Sequence, residues 1–207
     1  MSRLVRLLVI GLVAAVGFVV PAIAVAAPAP PQITTASLPS VIQGTKYPTT
    51  TLKVTGGTWP YRWSVVAGAL PYGLKLSAGG QLSGATGYPY GTPIPITVQV
   101  KDAKGVTAVR DYQLVVTPFT VITPSLKNAR KGAFYSATVK TNGGCINGKR
   151  LQWGVYNGTL PAGLKMSTNG VISGIPKAAG ASTFVAYAEC PVFNNGAAGK
   201  TFTLTVN

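Results

Sequence analysis

The 207-residue chain contains no histidine and only three acidic residues, Asp102, Asp111 and Glu189. Without histidine there is no usual serine or cysteine triad, no commonest general base and no usual catalytic zinc set. The shortage of carboxylates excludes more. Calcium takes about six to eight oxygen ligands, several of them carboxylates. Hydrolysis by paired carboxylates needs two acids in one cleft. Asp102 and Asp111 bracket the segment "DAKGVTAVRD" and are the one pair that a hairpin brings near each other. The simpler expectation for them is hairpin polarity and pairing with Arg110 or Lys104. No stretch after Pro30 has an amphipathic helical period, so no glycine-rich phosphate loop leads into a helix. The chain is expected to be non-catalytic, with no cofactor and no metal site.

The long hydrophobic run sits at the start. Arg3 and Arg6 precede an almost wholly apolar stretch from Leu7 to Val20; Pro21 breaks it, and Ala24-Val25-Ala26 forms a small-x-small box. That is the plan of a secretory signal peptide over residues 1–26. An uncleaved anchor is the alternative, because Leu7 to Ala27 is uncharged and a bilayer needs about 20 residues. The Pro break followed by the Ala box favours cleavage. Residues 27–32, "APAPPQ", read as a stiff lead-in. Beyond Arg6 there are sixteen basic residues against three acids, a net charge of +13. The basic residues are scattered, with no run that marks a nucleic-acid tail. The chain ends directly after a strand-like segment with no sorting motif. It is expected to be secreted, extracellular or held on the cell envelope, with no transmembrane segment after signal cleavage.

What is present in abundance is repetition. Trp63, Val65, Gly68, Leu70, Pro71, Gly73, Leu74, Lys75, Ser77, Gly80, Ser83 and Gly84 meet identical residues ninety positions later. Twelve identities over residues 63–84 and 153–174 mark a duplication. The second copy carries an insertion, "CINGKR" at 145–150, before its Trp. The segments "ITVQV" (96–100), "YQLVV" (112–116), "FVAYA" (184–188) and "FTLTV" (202–206) alternate as strands do, and glycine-rich turns separate them. Each copy offers about seven short strands, which fits a β-sandwich of immunoglobulin type. The predicted fold is all-β: two tandem immunoglobulin-like sandwiches over 33–117 and 118–207, joined near Thr117-Pro118 with almost no linker. The repeated "LPxGL…SG" phrase reads as a sheet-to-sheet crossing, and Trp63 and Trp153 read as core.

The pattern "GG…PYRW…LPYGLKLSAGGQLSG", and still more "LQWGVYNGTLPAGLKMSTNGVISGIPKAAG", resembles the immunoglobulin-like repeat domains of bacterial and archaeal surface and secreted proteins. The first copy departs from that pattern after Gly84, with "ATGYPYGTP". The resemblance implies a cadherin-like adhesion or spacer module without a shared enzymatic activity. Cadherin calcium motifs are absent. Some surface sandwich domains that resemble these carry Lys–Asn crosslinks beside a buried acid, and Lys140 with Glu189 is the one arrangement available here.

Cys145 and Cys190 are the only cysteines. In an exported chain they are expected to form a disulfide that pins the insertion, because the loop before the Trp strand and the end of a late strand share one end of such a domain. Two functional classes remain. One is a non-catalytic adhesive or spacer module with a basic surface. The other is a carbohydrate- or wall-polymer-binding accessory protein using aromatics of the first copy: Trp59, Tyr72, Tyr88 and Tyr90. Tyr72, Tyr88 and Tyr90 align with Ala162, Ala178 and Gly180 of the second copy; covering a thin core edge or the domain junction is the bland reading for them. Anionic envelope polymers or glycans, or another surface protein, are the expected partners, and specific nucleic acid is not.

Overall fold

The computed structural model describes residues 28–88 (the backbone alone at Tyr88), 91, 93–146, 149–191 and 196–207. The expected signal peptide, residues 1–26, lies outside the described residues.

The described residues form strands without a helix, in two successive sandwiches. The Trp strand of the first copy is β5 (Arg62–Gly68). It pairs with β8 (Ile94–Lys101), which pairs with β9 (Thr107–Leu114). The facing sheet joins β3 (Thr50–Thr51), β7 (Gln81–Tyr88) and β6 (Tyr72–Leu76). Two small pairs complete it. β1 (Gln32–Ile33) lies antiparallel to β4 (Val54–Thr55), and β2 (Val41–Ile42) lies parallel to β10 (Val116–Thr117). The second copy repeats the plan. β12 (Gln152–Gly158), β15 (Gly180–Glu189) and β16 (Ala197–Val206) form the Trp sheet, and β11 (Tyr135–Thr138), β14 (Val171–Gly174) and β13 (Leu164–Met166) form the other. Even the irregularity is duplicated: the Trp strand shifts register between Val65 and Ala67 and between Val155 and Gly158.

The cores follow from alternation. On β8, Ile96, Val98 and Val100 are buried while the residues between them are not; on β15 the same holds for Phe184, Ala186 and Ala188. Side chains on a strand alternate faces, so each set lies on one side of its sheet. Full burial of a Val, Ile or Phe side chain contributes about 1.5–3 kcal/mol. Tyr47, Leu82 and Leu114 fill the first core, and Ile172, Phe202 and Leu204 the second. Trp63 is core. Its counterpart Trp153 is only half-buried at the core's edge, so the two Trp side chains are not equivalent.

The repeated phrase is a hairpin rather than a crossing along its whole length. The chain changes sheets at the Leu-Pro corner only, where the Leu74 and Leu164 N–H groups donate to the Pro71 and Pro161 carbonyls. From there β6 returns as β7, and β13 as β14, within one sheet. Gly80 and Gly170 (φ +86° and +79°) close these turns. A Cβ at either would press on the indole of Trp63 or Trp153, at 2.7 and 3.0 Å. Positive φ and the close ring both demand glycine. The lead-in is held as well: Gly57 N–H donates to the Ala29 carbonyl, and pairing begins at Gln32.

Candidate functional site

The junction between the copies is built from residues of both. β10 ends at Thr117, and Pro118 confines Thr117 to extended geometry, so the strand feeds straight into the second sandwich. Phe119, Ile146 and Cys190 are buried, yet they belong to neither domain core. They lie where the copies meet. Gln43, also buried, comes off the end of β2 and binds both sides. Its N–H donates to the Thr117 carbonyl, its side-chain amide donates to the Gly87 carbonyl at 3.0 Å, and its own carbonyl accepts the Gly144 N–H at 3.0 Å. Gly44 and Gly143 lie so close to the opposite backbone that a Cβ on either would collide with Gly144 or with the Gln43 carbonyl.

The insertion of the second copy is what reaches across. Cys145 and Cys190 are joined by a disulfide with Cα atoms 5.5 Å apart, within the range such bridges span. The bridge presents Ile146 toward the first copy; the side chain comes within 3.6 Å of a Cβ built on Gly73. Beside it lies an open cleft of about 550 Å³, lined by Gly44, Gly143, Gly144, Arg150, Trp153 and Asn169 among others.

The acids are dispersed. Asp102 is buried just past β8, and its carboxylate accepts the backbone N–H groups of Thr58, Lys104 and Val106 at 3.0, 2.9 and 2.8 Å. Burial works to raise its pKa, but those three donors and the Lys104 charge outweigh it and hold the group below its ordinary value. Asp111 instead accepts the Thr97 hydroxyl at 2.7 Å. The two carboxylates therefore do not share a site. Arg110 does not pair with an acid either; it donates to the carbonyls of Ile33 and Ala36. Glu189 is exposed at the end of β15, so the buried acid that a Lys140 crosslink requires is not there. No group of three or more potential metal ligands occurs among the described residues.

Of the four aromatic candidates, Trp59 and Tyr72 are 79% and 53% exposed. They lie before and after the seven-residue β5, at opposite ends of the first sandwich and about 20 Å apart along the strand. They do not form one site. Tyr72 is the register partner of Tyr88; the Tyr88 side chain and Tyr90 lie outside the described residues. The comparison of copies missed a second aromatic pair. Tyr156 is 80% exposed and lies 5.9 Å from the Tyr187 ring on the outer face of the second Trp sheet. The signal was available, since the first copy has Val66 and Gln99 at the corresponding places.

Residues 22–117 and 118–207 each match the family described as Putative Ig domain. The chain belongs to that family, twice over. No curated protein matches it. Among solved structures it is similar to a putative alpha-galactosidase of Bacteroides fragilis, at 21% identity over 43% of this chain and 17% of that one, with a TM-score of 0.36. It is also similar to the extracellular domain of protocadherin gamma B4, at 13% identity over 86% of this chain and 34% of that one, TM-score 0.35. A third is mouse cadherin-23 EC22–24, at 14% identity over 86% and 67%, TM-score 0.35. The chain thus spans a fifth or less of that galactosidase and about a third of that protocadherin. No helix among the described residues is long and apolar enough to cross a membrane.

Proposed function

We propose that this is an exported, non-catalytic binding and spacer module of the cell envelope or its surroundings, whose partners are anionic polymers. The observation that carries the reading is the clamped tandem: two immunoglobulin-like units abut through Phe119, Ile146 and Gln43 instead of a flexible linker. A spacer needs such a junction, because it must transmit distance and direction. The disulfide supports export, since such bridges persist in oxidising compartments. The net charge of +13 beyond Arg6 supports an anionic partner, and most of the cationic side chains are exposed.

Long-range attraction of this kind is screened over about 8 Å at physiological salt. Purified cell envelope should therefore capture the mature protein at low salt and release it steeply as salt rises. No capture at low salt would overturn the reading.

A further inference from the structure

We infer that the end of the first domain farthest from the junction is a recognition site for a carboxylated polysaccharide. The inference rests on the reading that the partner is an anionic polymer, and it gives that binding a place. Arg62 and Lys101 are direct partners across β5 and β8. The next rung, Trp63 and Val100, is buried, so Arg62 and Lys101 share the outer face, where both are exposed. Residues paired in this way have Cβ atoms about 5 Å apart, and like charges there repel. Lys104, in the hairpin beyond, adds a third exposed cation. The nearest carboxylate, Asp102, is taken up by the N–H groups of Thr58, Lys104 and Val106. Neither Arg62 nor Lys101 has a carboxylate hydrogen-bond partner among the described residues, and Lys104 acts on Asp102 through its charge and its backbone N–H.

An open groove of about 600 Å³ runs among them, lined by Pro60, Arg62, Lys101, Asp102, Lys104 and Gly105. Trp59, next to Pro60 in the chain, is 79% exposed. The second copy supplies the internal comparison. At the same rung of the same sheet it has Gln152 opposite Glu189. The fold therefore does without the opposed cations, which frees them for another use. Paired cations meet the carboxylates of successive sugars, and an exposed indole offers a stacking face to a sugar ring.

The test uses the mature protein and soluble polygalacturonate, with inorganic polyphosphate as the non-sugar anion. Arg62→Gln with Lys101→Gln should weaken polygalacturonate binding about tenfold, equivalent to about 1.4 kcal/mol. The control pair Lys165→Gln with Lys177→Gln removes the same charge from the second domain and should change it less than about twofold. Trp59→Ala should weaken polygalacturonate and leave polyphosphate binding unchanged. Equal losses from both charge pairs would overturn the site while leaving the anionic-partner reading intact. Equal loss of both ligands on Trp59→Ala, or tighter binding to polyphosphate or single-stranded DNA than to polygalacturonate, would overturn the sugar assignment. Wild-type protein that binds no polyanion would overturn the reading itself.

Discussion

Asp102 and Cys190 occupy the same place in the two copies, one residue past the strand that pairs with the Trp strand. Each backbone N–H closes the following hairpin, onto Val106 in one copy and Gly196 in the other. Each side chain then ties down the loop before the Trp strand. Asp102 does so by accepting the Thr58 N–H, and Cys190 by its bond to Cys145. One structural task has been solved by a charged hydrogen bond in one domain and by a covalent bond in the other.

The Asp102 solution should depend on pH. Its folded pKa lies below the ordinary 3.8. Its stabilising effect is therefore complete above that value and is lost as pH falls through the lower folded pKa. Asp102→Ala should destabilise the first domain at neutral pH, and the gap from wild type should close in strong acid. Urea midpoints of both proteins between neutral and strongly acidic pH measure this. A gap that does not change with pH would show that the carboxylate's charge is irrelevant.

The Cys190 solution should depend on redox state instead. Closing a loop of 45 residues implies up to about 4 kcal/mol from the unfolded chain's entropy. Reduction, or Cys145→Ser with Cys190→Ser, should lower the stability of the second domain by a large part of that amount. It should also free the insertion, where Lys149 and Arg150 are exposed. Trypsin should then cut there faster than in the oxidised protein, before either sandwich unfolds.

Gly143 tests the junction itself. Its φ is not in the left-handed region, so Gly143→Ala adds only the clash with Gln43, Ile42 and Phe119. Overpacking of this kind costs about 1–3 kcal/mol. The domains should separate or tilt while each keeps its fold. Hydrogen exchange at the Gly144 N–H should accelerate, because its acceptor is the Gln43 carbonyl. Unchanged protection there would mean that the contact does not hold the copies together.

The duplicated architecture was legible because it is written in alternation and in identical glycines. Val98 and Val100 sit inside and Gln99 outside for the same reason that Ala186 and Ala188 sit inside and Tyr187 outside. The bridge was legible because two cysteines allow one pairing. The role of the insertion was not. Ile146 looks like a loop residue, and only the position of the neighbouring domain makes it buried. The same applies to Gln43, a polar residue after a two-residue strand. The opposed cations escaped notice because Arg62 and Lys101 are 39 positions apart, and only strand register makes them neighbours. The aromatic candidates failed to converge for the reverse reason: Trp59 and Tyr72 are close in sequence, but a full strand runs between them.

The two tryptophans that the repeat places at matching positions should respond differently to removal. Trp63 is 6% exposed, packs against Gly80 and belongs to the first core. Trp63→Ala should cost the first domain about 3–5 kcal/mol, as large core deletions do. Trp153 is half-buried and lines the junction cleft, so part of its surface is already in water. Trp153→Ala removes less buried area and should cost the second domain about half as much. Fluorescence separates the two environments before any unfolding. With Trp59 replaced by Phe, acrylamide should quench the Trp153 emission more readily than that of Trp63, each read in a single-Trp variant. Equal quenching and equal destabilisation would mean that the two copies use their Trp identically, and that the junction cleft is closed over Trp153 in solution.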